Sequence, residues 1–284
     1  MEKSLGGLAL GVACFAATAC ANTFSLLAGS PTIGQSGTGH SYAPGAAAGN
    51  REGHRQADDK VVSPPHWTYD HQEEWSATFA DAAACARGSR QSPIDLKSAP
   101  FVDEPDLVPA WRAGDGRLFN NGHTVEIEVE QGSFMMLDDE RFELLQAHFH
   151  DPSEHRLDGE QFAMEMHFVH RKASGALAVV GVLMRAGAEN DTLARLWSAI
   201  PPSVGKEHAA TVAFDPNAFL PADRVHFQYD GSLTTPPCTE GVTWLVMRSP
   251  IDASLAQVAA FRAIEGENAR ALQERNGRMV TEGE

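Results

Sequence analysis

Two segments with the two-residue period of β-strands carry histidines that can lie on a shared face. His148-Phe149-His150 places two imidazoles two residues apart, and such side chains lie on the same side of a strand. Their α-carbons are then roughly 6.6 Å apart. Residues 163–170 repeat the pattern and align Glu165, His167 and Val169 on one face. The pattern predicts two strands that bring three histidines together.

These histidines form a candidate zinc site. His148, His150 and His167 could converge on one ion at Zn–N distances of about 2.0–2.1 Å, and three nitrogen ligands leave a fourth position for water, as in catalytic sites. Gln146 and Glu165 each precede a ligand by two residues, so they are natural acceptors for the second ring N–H of that ligand. A single histidine on such a strand is more often a hydrogen-bonded core residue, but the whole set favours a metal.

Composition narrows the class of protein. The chain has 284 residues with 43% hydrophobic content, enough for one sizeable core or two small ones. Its formal net charge of −16 argues against nucleic acid partners and against anionic membrane surfaces, because both select for basic patches.

The N-terminus predicts export. Lys3 precedes an apolar stretch over residues 5–19, and Ala19-Cys20-Ala21 fits a small-residue cleavage site, so residues 1–21 are predicted to be a signal peptide. The stretch is short for a transmembrane segment. Cys20 leaves open the alternative of an acylated bacterial lipoprotein, but Ala17 matches that pattern poorly. A periplasmic or secreted protein is therefore expected.

The remainder divides into a leader and one globular domain. Residues 22–62 are rich in Gly, Ala, Ser and Thr and read as a low-complexity leader or linker. The catalytic domain is predicted over residues 63–284. Strands are predicted at 125–130, which alternates strictly, and at the apolar runs 177–184 and 242–247. Helices are predicted at 190–199 and 254–263, the second capped by Asp252 or Ser254.

Two cysteines remain once the signal peptide is removed, Cys85 and Cys238. An even pair in an exported protein suggests a disulfide, which would close a loop of about 150 residues and stabilise the fold by roughly 4–5 kcal/mol. Two unpaired buried thiols are the alternative.

Five motifs together resemble the α-class carbonic anhydrases of the exported bacterial kind, from about residue 67 to residue 280. They are GSRQSPI at 88–94, NNGH at 120–123, QAHFHDPSEH at 146–155, EMH at 165–167 and GSLTTPPCTE at 231–240. The resemblance implies a mainly β (α+β) fold with a large, twisted, mostly antiparallel central sheet and peripheral short helices. It also implies reversible hydration of CO2 to bicarbonate and a proton, with zinc as cofactor. The oligomeric state stays open, with a homodimer as one possibility.

The resemblance assigns roles to individual residues. His148, His150 and His167 match the zinc ligands. Thr234 and Glu154 match a hydrogen-bonded pair that orients the attacking hydroxide. The remaining matches comprise the proton shuttle His123; polar residues that order waters, Asn120, Asn121, Thr235 and Tyr69; the apolar wall for CO2, Val169, Val179, Leu233, Val242 and Trp244; the Cys85–Cys238 disulfide; cis peptide bonds before Pro93 and Pro237; and the buried structural histidines His155 and His170.

Two other readings compete with this one. The spacing His148-x-His150-x-x-x-Glu154 also occurs in cupin metal enzymes, but His167 lacks the Pro-x-Gly hairpin that a cupin needs, and residues 231–240 stay unexplained. A binding module without catalysis is the second alternative. Family relatives of that kind have lost a zinc ligand, whereas this chain keeps all three.

Overall fold

The computed structural model describes residues 67–102 and 107–283. The signal peptide, the leader and Cys20 lie outside the described residues, so those predictions stay predictions. In the described part of the chain, short helices surround a large mixed β-sheet, as the family resemblance implies.

The strands of the described residues range from two to eleven residues, and loops and short helices connect them. The helices are α1 (Trp75–Thr78), α2 (Ala84–Arg87), α3 (Asp191–Ala199) and α4 (Leu255–Glu265), with 3-10 turns at Tyr69–Glu74, Lys206–His208 and Pro216–Phe219. The strands are β1 (Asp95–Leu96), β2 (Val108–Ala110), β3 (Gly114–Asn120), β4 (Val125–Val129), β5 (Phe134–Leu137), β6 (Glu140–His150), β7 (Arg156–Leu157), β8 (Glu160–Gln161), β9 (Met164–Lys172), β10 (Leu177–Ala186), β11 (Ala210–Phe214), β12 (His226–Ser232), β13 (Glu240–Met247), β14 (Ile251–Ala253) and β15 (Thr281–Gly283).

Within the described residues, twelve strands form the large sheet. Its main path runs β11-β3-β4-β6-β9-β10-β13-β12-β15, while β14 pairs with β10 and β5 connects β2 to β6. Most pairs are antiparallel, which confirms the expectation, and β10 pairs in parallel with both β13 and β14. A separate small sheet has the order β1-β7-β8.

The strand and helix predictions hold to within a few residues. In β4, Val125 and Ile127 are buried and Glu126 and Glu128 are half-buried, because the strand has one apolar and one polar face. The run at 177–184 is the central strand β10, which extends to Ala186. In α4, the Ser254 side chain accepts a hydrogen bond from Gln257 N at 3.2 Å, so Ser254 rather than Asp252 is the cap.

The sheet separates two apolar clusters. Val180 and Val182 of β10 pack into the main core, which also contains residues of α3 and α4, whereas Val179 and Leu183 belong to a second cluster on the opposite face. His167 of β9 lies directly opposite Gly181 of β10, so it shares the face of this second cluster. The candidate site therefore lies on the sheet face away from the main core.

Among the residues that the structure describes, three peptide bonds before proline are cis. Those before Pro93 and Pro237 agree with the expectation from the resemblance, and the bond between Asp151 and Pro152 is a third that the sequence did not indicate. Among residues 67–102 and 107–283, none of the helices has the length and apolar character needed to cross a bilayer.

Candidate metal centre

The three histidines converge in the folded chain. His148 on β6 lies directly opposite His167 on β9, and their Nε2 and Nδ1 atoms are 3.3 Å apart. His150 follows on the same face, and its buried Nε2 has no hydrogen-bond partner among the described residues. One nitrogen from each ring lies within 4.8 Å of the others.

The donor set fits zinc. Two nitrogens bound tetrahedrally at about 2.0–2.1 Å would be roughly 3.3–3.4 Å apart, which agrees with the contact between His148 and His167. Three imidazoles also suit zinc better than a hard cation that prefers oxygen ligands.

Two neighbouring side chains orient the rings of His148 and His167. Gln146 Oε1 lies 2.8 Å from His148 Nδ1, and Glu165 Oε1 lies 2.9 Å from His167 Nε2. Each contact takes one ring N–H and leaves the other nitrogen as a lone-pair donor. A Cβ at Gly181 would lie only 3.0 Å from Glu165 Oε1, so a side chain there would crowd the carboxylate where it meets His167.

A backbone carbonyl orients the His150 ring. His150 Nδ1 lies 2.8 Å from the carbonyl oxygen of Asn268, a residue 118 positions away in the chain. The Asn268 side chain in turn donates to the carbonyls of Phe149 and His123, both at 3.0 Å. Sequence reasoning missed Asn268, because a main-chain acceptor has no side-chain signature.

Glu165 is a buried carboxylate that accepts several hydrogen bonds beside the three histidines. It is fully buried and accepts hydrogen bonds from His155 Nδ1 and His155 N at 2.8 Å, from Glu154 N at 2.9 Å, and from His167. Burial by itself would raise the pKa of Glu165, but electrostatic interactions and hydrogen bonds with the rings of His155 and His167 hold that pKa well below its usual value. The carboxylate is therefore ionised next to the ligand.

The three converging histidine rings are neutral near pH 7. Burial lowers the pKa of His148 well below its usual value, with the neighbouring His150 and His167 adding to the effect. Burial also lowers the pKa of His150 to about 4 and the pKa of His167. Metal ligands must be deprotonated, so protons compete little for this site at neutral pH.

Apolar side chains adjoin the histidines on the same face. Val179 of β10 lies directly opposite Val169 on one side and Trp244 on the other. The Trp244 ring centroid is 4.8 Å from that of His167. The five residues predicted for the apolar wall all belong to the second cluster: Val169, Val179, Leu233, Val242 and Trp244.

Thr234 and Glu154 are both buried near the centre. Glu154 Oε1 accepts a hydrogen bond from Arg270 N at 2.8 Å, whereas Oε2 has no hydrogen-bond partner in the described part of the chain. Burial raises the pKa of Glu154 to about 7, against the lowering effects of His167, Arg270 and Thr234. Thr234 is thus close enough to the carboxylate for its hydroxyl to lower the pKa of Glu154 as a hydrogen-bond donor.

His123 lies in the turn between β3 and β4 and is not one of the converging ligands. Its half-buried ring stacks on Trp67, with ring centroids 3.8 Å apart and an interplanar angle of 6°. Sequence reasoning did not identify this stack.

Burial and the charges of Glu154 and Glu265 raise the pKa of Tyr69 well above its usual value, so its hydroxyl keeps its proton.

The predicted disulfide is present. Cys85 at α2 is bonded to Cys238, with their α-carbons 5.1 Å apart. Cys238 N donates to Thr235 O at 2.8 Å, so the bond anchors the segment that carries Thr234 and Thr235.

Comparison with known proteins identifies similar chains. A family model of eukaryotic-type carbonic anhydrases matches residues 70–283. A carbonic anhydrase from Nostoc sp. is 44% identical over 216 residues, covering 74% of this chain and 82% of that protein. The α-carbonic anhydrase of Thermovibrio ammonificans, solved with the inhibitor sulfanilamide, gives a TM-score of 0.72 and 35% identity over 77% of this chain and 100% of its own. The α-carbonic anhydrase of Photobacterium profundum gives a TM-score of 0.71 and 39% identity, covering 76% of this chain and 100% of its own.

Proposed function

The chain belongs to the α-class carbonic anhydrases, a family of enzymes, and on this premise we propose that it hydrates CO2 reversibly at a zinc ion held by His148, His150 and His167. The observation that carries the proposal is the convergence of three neutral imidazole nitrogens, each ring oriented by an acceptor on its other nitrogen. When bound, zinc would supply a hydroxide nucleophile, because it lowers the pKa of coordinated water from 15.7 to about 7.

Thr234 and Glu154 orient the attacking group. The Thr234 hydroxyl donates a hydrogen bond to the Glu154 carboxylate. The Thr234 oxygen is then left as an acceptor directed at the centre. A ligand without a proton to donate then faces an unpaired acceptor and is disfavoured. The burial of both side chains and the free Glu154 Oε2 support this assignment.

The apolar wall holds CO2. The molecule has no net charge and no dipole, so a dry surface beside the metal suits it better than a hydrated one. The Trp244 ring next to His167 and the buried Val179 beside it support this placement. Thr235 and Asn120 are proposed to order water at the polar side of the cleft.

His123 exports the proton. Histidine side chains in general exchange protons near neutral pH, so a histidine here can take a proton from the centre and release it to buffer. Its ring is half-buried, and its position outside the ligand set supports transfer through water rather than through a metal bond.

The protein is proposed to act outside the cytoplasm. The Cys85–Cys238 bond supports an oxidising compartment. A signal peptide over residues 1–21, a leader over 22–62 and a catalytic domain over 63–284 agree with a periplasmic or secreted enzyme.

Stopped-flow CO2 hydration with a pH indicator tests the proposal. The purified protein is assayed as prepared, after chelation and after zinc is restored, with sulfanilamide as an inhibitor control. We expect hydration to disappear with the metal and return with zinc. A folded, zinc-loaded protein that hydrates CO2 no faster than buffer would contradict the proposal.

A further inference from the structure

We propose that Glu126 is a positioning residue for proton export, because its carboxylate holds the side chain of Asn121 and thereby the turn that carries His123. The inference rests on the proposed shuttle role of His123. It concerns a residue to which neither the motifs nor the metal geometry assigns a role.

The strand period brings Glu126 to the site. In β4, Val125 and Ile127 point into the core, so the half-buried Glu126 lies on the opposite face. That face carries the metal ligands, since Glu126 is directly opposite His148 of β6 in the sheet. A carboxylate at this position is in the cleft rather than on the outer surface.

A hydrogen bond connects the carboxylate to the turn. Asn121 Nδ2 donates to Glu126 Oε2 at 2.9 Å. The other end of the same amide is occupied, because Asn121 Oδ1 accepts from His123 N at 2.9 Å and from Thr124 N at 3.0 Å. The orientation of the amide is therefore determined from both ends.

The turn depends on this side chain for its shape. Gly122 adopts a φ of +90°, and Asn121 N donates to Thr124 O at 3.0 Å to close the loop. Removing the acceptor at position 126 would leave an amide N–H without its partner in a half-buried place. That loss would let Asn121 rotate and loosen its hold on the backbone of His123.

Glu128 offers a matched control on the same strand and face. It lies two residues further along, where Arg117 Nη1 donates to Glu128 Oε2 at 3.2 Å and Lys206 also pairs with it. Neither of these two partners belongs to residues 121–124. Glu126 and Glu128 thus share charge, strand and face but differ in whether they touch the shuttle turn.

The experiment compares kcat with kcat/KM for CO2 hydration at low buffer concentration. Proton export follows CO2 conversion, so a displaced shuttle lowers kcat and leaves kcat/KM almost unchanged. We expect Glu126→Ala to lower kcat about 3- to 10-fold, a part of the roughly 10²–10⁴-fold that a positioned proton-transfer group supplies. Imidazole in the buffer should restore the lost turnover.

Glu126→Gln should keep most of the activity, because its amide oxygen can accept the same hydrogen bond from Asn121, and Glu128→Ala should match the parent protein. Zinc content and unfolding midpoints are measured for every variant. The inference is overturned if Glu126→Ala leaves kcat unchanged, if kcat and kcat/KM fall together, or if Glu126→Gln falls as far as Glu126→Ala.

His123→Ala separates the two levels of the argument. If it lowers kcat with rescue by imidazole while Glu126→Ala has no effect, the shuttle stands and only the role of Glu126 is wrong. If His123→Ala leaves kcat unchanged, the shuttle assignment fails and the inference fails with it.

Discussion

Removal of the Cys85–Cys238 bond should lower the stability of the fold by an amount that its position in the chain determines. The two residues are 153 positions apart, so the bond restricts most of the unfolded catalytic domain. In the chain-entropy model a loop of this length contributes about 5 kcal/mol at 25 °C, the upper end of the roughly 2–5 kcal/mol measured for native disulfides. For a domain of this size the loss corresponds to a decrease in Tm of roughly 10–20 °C.

The same bond should also affect turnover. Cys238 N donates to Thr235 O, so the loop that carries Thr234 loses its anchor when the bond is opened. The three histidines proposed to bind zinc lie on β6 and β9 rather than on this loop, and should still bind the metal. We therefore expect the zinc content to be retained while hydration activity falls.

The assay is urea and thermal unfolding of the parent protein and of the Cys85→Ser/Cys238→Ser variant, each with and without a reductant. The parent should become like the variant when reduced, whereas the variant should not respond to the reductant. A variant that unfolds within about 2 °C of the oxidised parent would refute the entropic argument, because even 1 kcal/mol shifts Tm by roughly that much.

Four further outcomes follow from the site. His148→Ala should abolish zinc binding and CO2 hydration, checked by metal analysis and stopped flow, while retention of stoichiometric zinc would contradict the ligand set. His123→Ala should lower kcat with partial rescue by imidazole, and no rescue would remove its shuttle role. Glu165→Gln should weaken zinc binding about 10- to 100-fold in a chelator competition, because an amide cannot accept all of the N–H bonds that the carboxylate accepts. Burial holds the pKa of His170 at about 3 in the folded protein, whereas the unfolded chain takes up this proton below about pH 6.5. The free energy of unfolding therefore decreases by about 1.4 kcal/mol for each unit by which the pH is lowered across that window. The free energy of unfolding of His170→Gln, measured between pH 6 and pH 4, should depend on pH with a slope smaller by one proton, and an equal slope would refute the assignment.

The strands around the site could be predicted because the pattern of apolar and polar residues along each strand is visible in the amino-acid sequence. Alternation in β4 and the apolar run of β10 come from burial on one or both faces, and those patterns do not depend on the partner strands. The two-residue spacing of His148 and His150 likewise places both rings on one face whatever the rest of the chain does.

The pairing of strands could not be predicted in the same way. Nothing in the residues of β10 shows that it pairs in parallel with β13, or that Val179 is flanked by Val169 and Trp244. The apolar wall was assigned through the resemblance to a family. Register between distant strands depends on the global packing of the sheet, which local periodicity does not encode.

By itself, the sequence determined the ligand types, their spacing and the alternating faces, because these follow from covalent order and strand geometry. Only the tertiary structure decided that the Asn268 carbonyl orients His150, that Trp67 stacks on His123 and that Glu126 accepts a hydrogen bond from Asn121. A backbone acceptor, a ring stack and a side-chain hydrogen bond depend on distances between atoms that the fold alone brings together.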